Sequence, residues 1–210
     1  MTQYHKIQTL YLRDPDNRYK TLLEGEFAKP EFEYLANTEW VFTEKVDGTN
    51  IRIIWDGEQV KFGGKTDNAQ IPAELVGHLI KMFPQKLCAE VFKGPLVLYG
   101  EGYGPKIQKG GDYADQQQVI LFDALAGDTW LERQAIDYIA IQFEVPAVPI
   151  VGRGTTDFAV RLCKEERFDS FISVRQRKAE GMVLRPAVEL KNRRGQRVIA
   201  KLKFKDFEVA

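Results

Sequence analysis

The chain has 210 residues, 44% of them hydrophobic and 11% aromatic, enough for one substantial core. Its 30 basic residues balance its 30 acidic ones, so bulk charge points to no polyanionic partner and only local clustering can. The two cysteines, Cys88 and Cys163, exclude a disulfide framework or a cysteine metal motif and fit a reducing compartment. The N-terminus lacks the apolar core of a signal peptide, and no apolar run reaches membrane-spanning length. A soluble, cytoplasmic protein with no membrane partner is expected.

No repeat or low-complexity linker divides the chain. Residues 1–210 are expected to form a single domain, with 1–39 as a small extension packed on it. Pro30-Glu31-Phe32-Glu33 leads into the first clear strand. Alternating β-branched, aromatic and polar residues predict strands over 40–45, 50–55 and 59–62. Proline in the first turn, with Leu75, Leu79 and Met82 at helical spacing, predicts a helix over 72–83. Residues 96–103 and 118–125 read as buried strands. A helix over 131–143 carries Ile136, Ile139 and Ala140 as its apolar stripe and is stopped by Pro146. Another over 156–168 is capped by Thr155 or Thr156, with Phe158 and Leu162 inward. Strands over 182–186 and 198–204 close the chain. Most connections between strands are too short for parallel crossovers, which implies an α+β fold of largely antiparallel sheets flanked by helices.

Two Asp-Gly pairs stand between strand runs. Asp56-Gly57, inside Ile-Ile-Trp-Asp-Gly-Glu-Gln-Val, reads as a hairpin turn. Asp47-Gly48 is preceded by Lys45 and followed by Thr49-Asn50. A bare Lys-x-Asp-Gly arises by chance in about one chain in twenty of this size, so alone it marks no more than a surface lysine beside a turn. Further motifs follow on strand-like segments. Leu98-Tyr99-Gly100-Glu101-Gly102-Tyr103-Gly104 sets one carboxylate among glycines that admit a ligand close to the backbone. Ile120-Leu121-Phe122-Asp123 ends a buried strand with an aromatic and an acid, and Glu180 opens another strand. In Ile199-Ala200-Lys201-Leu202-Lys203-Phe204 the period of two puts both lysines on one face. Each has a bland reading as a salt-bridged strand acid, a core aromatic or a solvated face, but all of these holding at once beside Lys45 is a poor explanation.

In this order the set resembles the covalent nucleotidyltransferase superfamily of ATP-dependent ligases and capping enzymes. Within it the chain is similar to RNA ligases of the RNA ligase 2 type, including small phage-like members. The resemblance runs from about Trp40 to Phe207. It rests on Lys45-Val46-Asp47-Gly48-Thr49-Asn50, Phe62-Gly63-Gly64-Lys65-Thr66-Asp67, Ile107-Gln108-Lys109-Gly110-Gly111 and Glu180-Gly181. One departure is Lys65, where such enzymes commonly carry arginine; a guanidinium forks bidentately and an ammonium is a point charge.

The resemblance implies a nucleotidyltransferase (adenylation) domain without an OB-fold. Its activity would be sealing of RNA 5′-phosphate and 3′-hydroxyl ends through a covalent lysyl-AMP on Lys45 and an adenylated RNA. ATP and Mg²⁺ (or Mn²⁺) are the implied cofactors, RNA the partner, and a monomer the expected state. Lysine attack on a phosphate needs the neutral amine, which neighbouring cations favour. By resemblance Lys201 and Lys203 neutralise the α-phosphate, and Asp47, Glu101 and Glu180 hold the metal or its waters. Glu101 also touches the ribose, Phe122 stacks on adenine, and Glu44 lies near the adenine. Asn50 and Arg52, on one strand face by period two, contact nucleotide or phosphate, as does Lys65.

Two stretches lie outside this set. The glycine-rich Lys106–Gly111 loop and the basic turn Lys191-Asn192-Arg193-Arg194-Gly195-Gln196-Arg197 are either solvated tips or grips on RNA phosphates. His5 and His78 have no metal-ligand spacing. The terminal Lys205-Asp206-Phe207 resembles the ends of small RNA ligases and leads to the expectation of a minimal enzyme. A DNA ligase, a capping-type nucleotidyltransferase and a catalytically silent nucleotide- or RNA-binding module are the competing readings. Thr49-Asn50 and Glu180-Gly181 weigh against the first two, and the intact motif residues against the third.

Overall fold

The structure, a computed structural model, describes residues 3–208. In chain order its elements are β1 (Gln8–Thr9), β2 (Tyr11–Arg13), β3 (Leu22–Phe27), α1 (Pro30–Tyr34), β4 (Trp40–Lys45), β5 (Thr49–Trp55) and β6 (Val60–Gly63). There follow α2 (Ala73–Met82), α3 (Gln85–Val91), β7 (Leu96–Tyr103), β8 (Gln118–Ala126), β9 (Thr129–Trp130) and α4 (Arg133–Gln142). The last are β10 (Ile150–Gly154), α5 (Thr156–Arg161), β11 (Gly181–Pro186) and β12 (Ala200–Lys203). The fold is α+β, and every strand pair is antiparallel except β1 with β12.

The described residues divide into two compact units. The first comprises 3–5, 47–148 and 173–175 and is built on the sheet β6-β5-β7-β8-β9. Alternation along β5 sends Ile51, Ile53 and Trp55 into a core shared with Leu98, Val119 and Leu121. Leu75 and Leu79 of α2, both fully buried, and Ile136 and Ile139 of α4 cover it. Each such side chain contributes about 2 kcal/mol by leaving water. Asp56-Gly57 is a hairpin turn, as predicted: β5 pairs with β6 out to Trp55 and Val60, Gly57 has φ +103°, and the Asp56 carboxylate accepts the N–H groups of Glu58 and Gln59.

The second unit comprises 6–46, 149–172 and 176–208, with the sheet β1-β12-β11-β4-β10 and the hairpin β2-β3. Its core gathers Trp40, Phe42, Met182, Leu184, Ala200 and Leu202, the alternate residues of three neighbouring strands. Residues 6–39 belong to this unit, where β1 lies parallel to β12 with Thr9 opposite Lys201. The predicted helix over 156–168 is capped by the Thr155 hydroxyl, which accepts the Phe158 N–H at 3.3 Å, but α5 keeps α geometry only to Arg161. A π-turn over Leu162–Glu166 follows, stopped at Arg167 in the left-handed region (φ +37°). The last predicted strand, 198–204, is observed only over Ala200–Lys203: residues 198 and 199 lie before it, and a 3₁₀ turn begins at Phe204. The strand predicted over 118–125 is β8, which runs one residue further to Ala126 and holds Phe122 and Asp123 in its interior rather than at its end. Among the described residues no helix is long and apolar enough to cross a membrane.

Candidate active site

In the second unit, β11 pairs with both β4 and β12, so Gly181 lies opposite Lys45 on one side and Lys203 on the other. Glycine is required there, since a Cβ would stand 2.1 Å from the Leu202 carbonyl oxygen. Glu180, the residue before it, bridges the two lysines. Its Oε2 accepts from Lys45 Nζ at 2.5 Å, and its Oε1 accepts from Lys203 Nζ. Burial alone raises a carboxyl, but Lys45 and Lys203 outweigh it and hold Glu180 below its ordinary value. The register puts Lys201 opposite Val183, on the same strand face as Lys203, as the period of two predicts. Burial, then the charges of Lys203, Lys45 and Arg13, push the Lys201 amine down to about 8, against a smaller opposing pull from Glu180. A sheet face with three lysines and one ionised acid can hold a multiply charged anion and tune an amine beside it.

Glu44 precedes Lys45 with its carboxylate turned to the other side of β4 and almost wholly buried. It accepts the Ser170 hydroxyl at 2.5 Å and the Phe171 N–H at 2.9 Å. Burial raises its pKa, opposed by these two donors and Arg177. Its backbone N–H donates to Pro149, so the side chain and amide of Glu44 both serve local structure.

The first unit carries the other sequence candidates. Asp47 donates its N–H to the Tyr113 hydroxyl at 3.1 Å. Gly48 packs against β7 so closely that a Cβ would lie 2.2 Å from the Gly102 carbonyl oxygen. Asn50 and Glu101 are register partners on β5 and β7. Among the described residues the buried Asn50 Oδ1 and Arg52 Nη1 have no hydrogen-bond partner. The rest of Arg52 is committed: it is 1% exposed, its Nε donates to the Gly64 carbonyl at 2.8 Å, and its Nη2 pairs with Asp67 at 2.8 Å. The Phe62–Asp67 segment thus clamps Arg52, and Lys65 sits exposed in that turn. Phe122 is the extra residue of a β-bulge, since Gly100 pairs with Leu121 and Tyr99 with Asp123. Bulges re-aim a side chain. Tyr4 meets the Phe122 ring edge-on at 5.1 Å and donates to buried Asp123 at 2.7 Å.

Two of these supports have no signal in the sequence: Ser170 for Glu44, and Tyr4 beside Phe122, 119 residues from its hydrogen-bond partner Asp123; Asp67 closes a motif quoted above, but its pairing with Arg52 is not legible there. Asp47, Glu101 and Glu180 offer the hard oxygen donors that Mg²⁺ or Mn²⁺ prefers, and Glu180 is held ionised. Among the described residues no three His, Cys, Asp or Glu side chains converge as a metal cage.

A family model described as RNA ligase matches residues 38–203. Among solved structures, Naegleria gruberi RNA ligase with PPi is similar at TM-score 0.68 and 18% identity, covering 97% of this chain and 56% of that one. A glutamate-to-alanine variant of the same protein with AMP and Mn gives TM-score 0.68 at 17% identity, covering 97% and 56%. A lysine-to-alanine variant with ATP and Mn gives 0.62 at 19%, covering 84% and 54%. The chain therefore matches a little over half the length of these solved chains, and the likeness is one of fold.

Proposed function

The chain belongs to the RNA ligase family, and from that premise we propose that it is an ATP-dependent RNA ligase whose nucleophile is Lys45. The observation that carries the reading is the Lys45–Glu180–Lys203 cluster, with Lys201 on the same sheet face. In the first step the Lys45 Nζ lone pair attacks the α-phosphorus of ATP. An N–P bond forms, the P–O bond to the β-phosphate breaks, and pyrophosphate leaves. The attacking amine must be in its neutral form, and Lys201 and Lys203 lie on the same sheet face beside it. The same two ammonium groups neutralise the α-phosphate oxygens as charge moves to the leaving group. AMP then passes to a 5′-phosphate on RNA, and a 3′-hydroxyl displaces it to seal the strand.

Phe122 is assigned to adenine stacking, worth about 1–3 kcal/mol, with its ring aimed by the bulge and steadied by Tyr4. Asn50 Oδ1 and Arg52 Nη1, the buried atoms left over from local bonding, are assigned to nucleotide contact. Glu101 is assigned to the ribose, Lys65 to a phosphate, and Glu44 to positioning the strand end beside the adenine. Asp47, Glu101 and Glu180 would hold a divalent ion or its waters; bound, that ion supplies Lewis-acid neutralisation of phosphate charge.

Incubation of the purified chain with α-labelled ATP and Mg²⁺ tests the proposal. Wild type is expected to acquire AMP label that is acid-labile and alkali-stable, as an N–P bond is, and Lys45→Ala none. Cys88→Ser is expected to label fully, since burial pushes that thiol up to about 11 and leaves it inert. Label persisting in Lys45→Ala would sink the assignment of the nucleophile.

A further inference from the structure

The basic turn after β11 does not act as one patch. Arg197 is buried and forks onto Glu189, with Nε and Nη2 each 2.6 Å from a carboxylate oxygen, and so anchors the base of a hairpin. A single bridge between Lys191 and Arg197 closes that hairpin. At its tip the Asn192 side-chain oxygen accepts the N–H groups of Arg194 and Gln196, both at 3.0 Å, and Gly195 takes φ +73°. The tip is thereby held with Lys191, Arg193 and Arg194 exposed.

These three face a cavity of about 620 Å³ whose other wall is the start of α1, with Lys29, Pro30 and Glu31. Four cations line it and one acid. The acid is engaged: Asn192 donates to Glu31 Oε1 at 2.8 Å and ties the two walls together. A cavity of this volume takes a ligand larger than a lone phosphate. No aromatic ring lines it, and neighbouring Phe32, with Lys29 over its ring at 5.7 Å, is fully buried. A base or a free nucleoside triphosphate would find no stacking platform there, whereas a chain of phosphodiesters needs only spaced cations.

We infer that the cavity between the start of α1 and the 191–196 hairpin tip binds the phosphodiester backbone of RNA, without reading sequence. The inference rests on the ligase function proposed above and adds to it a place where the substrate strand is held.

The test measures affinity of the purified full chain for a fluorescent single-stranded RNA across a salt series. For single strands the slope of log K against log salt is about −0.7 per phosphate neutralised. The double variant Arg193→Gln/Arg194→Gln is expected to flatten the slope by about 1.4 and to weaken binding roughly tenfold at low salt. Glu31→Gln, which removes the only acid yet can still accept from Asn192, is expected to tighten binding. A charge-matched control, Lys81→Gln/Lys86→Gln, changes two exposed lysines that do not line the cavity and is expected to leave the slope near wild type. An arginine variant with wild-type affinity and slope overturns the inference, as does an equal loss in the lysine control. So does a variant whose AMP labelling needs more ATP while RNA affinity holds, which would assign the cavity to free polyphosphate. The two readings fail separately: wild type that takes no AMP label, together with a flattened slope in the arginine variant, removes the ligase reading and leaves the RNA site standing.

Discussion

A lysine in water holds its proton to about pH 10, but Lys201 sits half-buried among Lys203, Lys45 and Arg13 and is pushed down to about 8. Stability depends on that difference. Below pH 8 the folded and unfolded chains both carry the proton, and the cost of crowding is present in full. Between about 8 and the unfolded value of 10.5 the unfolded chain binds more protons, so this residue makes stability rise with pH. Lys201→Met should therefore be more stable than wild type at pH 7, with the gap closing as pH climbs through that window. Urea unfolding of both proteins at pH 7, 8, 9 and 10 measures it, and parallel curves would refute it. The sequence places Lys201 and Lys203 on one face by periodicity. Their grouping with Lys45 comes only through the family resemblance, and nothing in the sequence signals that Arg13 joins them, because no local pattern links those strands.

The two Asp-Gly pairs show how an element decides what a dipeptide does. At Asp56-Gly57 local chemistry suffices, with carboxylate bonds to two amides and a left-handed glycine. At Asp47-Gly48 the glycine is dictated by β7, whose Gly102 carbonyl and Glu101 side chain leave no room for a Cβ. Gly48→Ala pushes on backbone that cannot swing aside, and a loss of about 3 kcal/mol is expected. Gly77, in the middle of α2, has nothing within 4 Å of its would-be Cβ. Gly77→Ala should gain up to about 1 kcal/mol from helix propensity. Thermal melts of the pair read the contrast; similar effects of the two substitutions would mean that close approach at Gly48 is not what selects glycine.

The described chain has two cores rather than one, each contained in its own unit: one around Ile51, Leu98 and Leu121, the other around Trp40, Met182 and Leu202. Native-state hydrogen exchange should find slow amides in both β5-β7-β8 and β4-β11-β12. Slow amides confined to one set would count against two independently packed cores. Correspondingly, Leu121→Ala and Leu202→Ala should each cost about 2–5 kcal/mol. Composition foretold enough apolar residue for a core; that it separates into two is not visible in composition, because the segments of each unit alternate along the chain.

The sequence by itself determined what lives within a few residues: the strand and helix periods, the Thr155 cap, the hairpin at Asp56-Gly57 and the common face of Lys201 and Lys203. Its motif order also carried the family resemblance. Tertiary structure alone decided that Glu180 holds Lys45 from 135 residues away, that Asp67 and Gly64 occupy most of Arg52, that Phe122 sits in a bulge, and that the start of α1 and a distant hairpin line one basic cavity. Periodicity is written locally because side-chain direction repeats along one element. Register is not, since it emerges from summed pairing and burial across strands whose order in the sheet no single segment encodes.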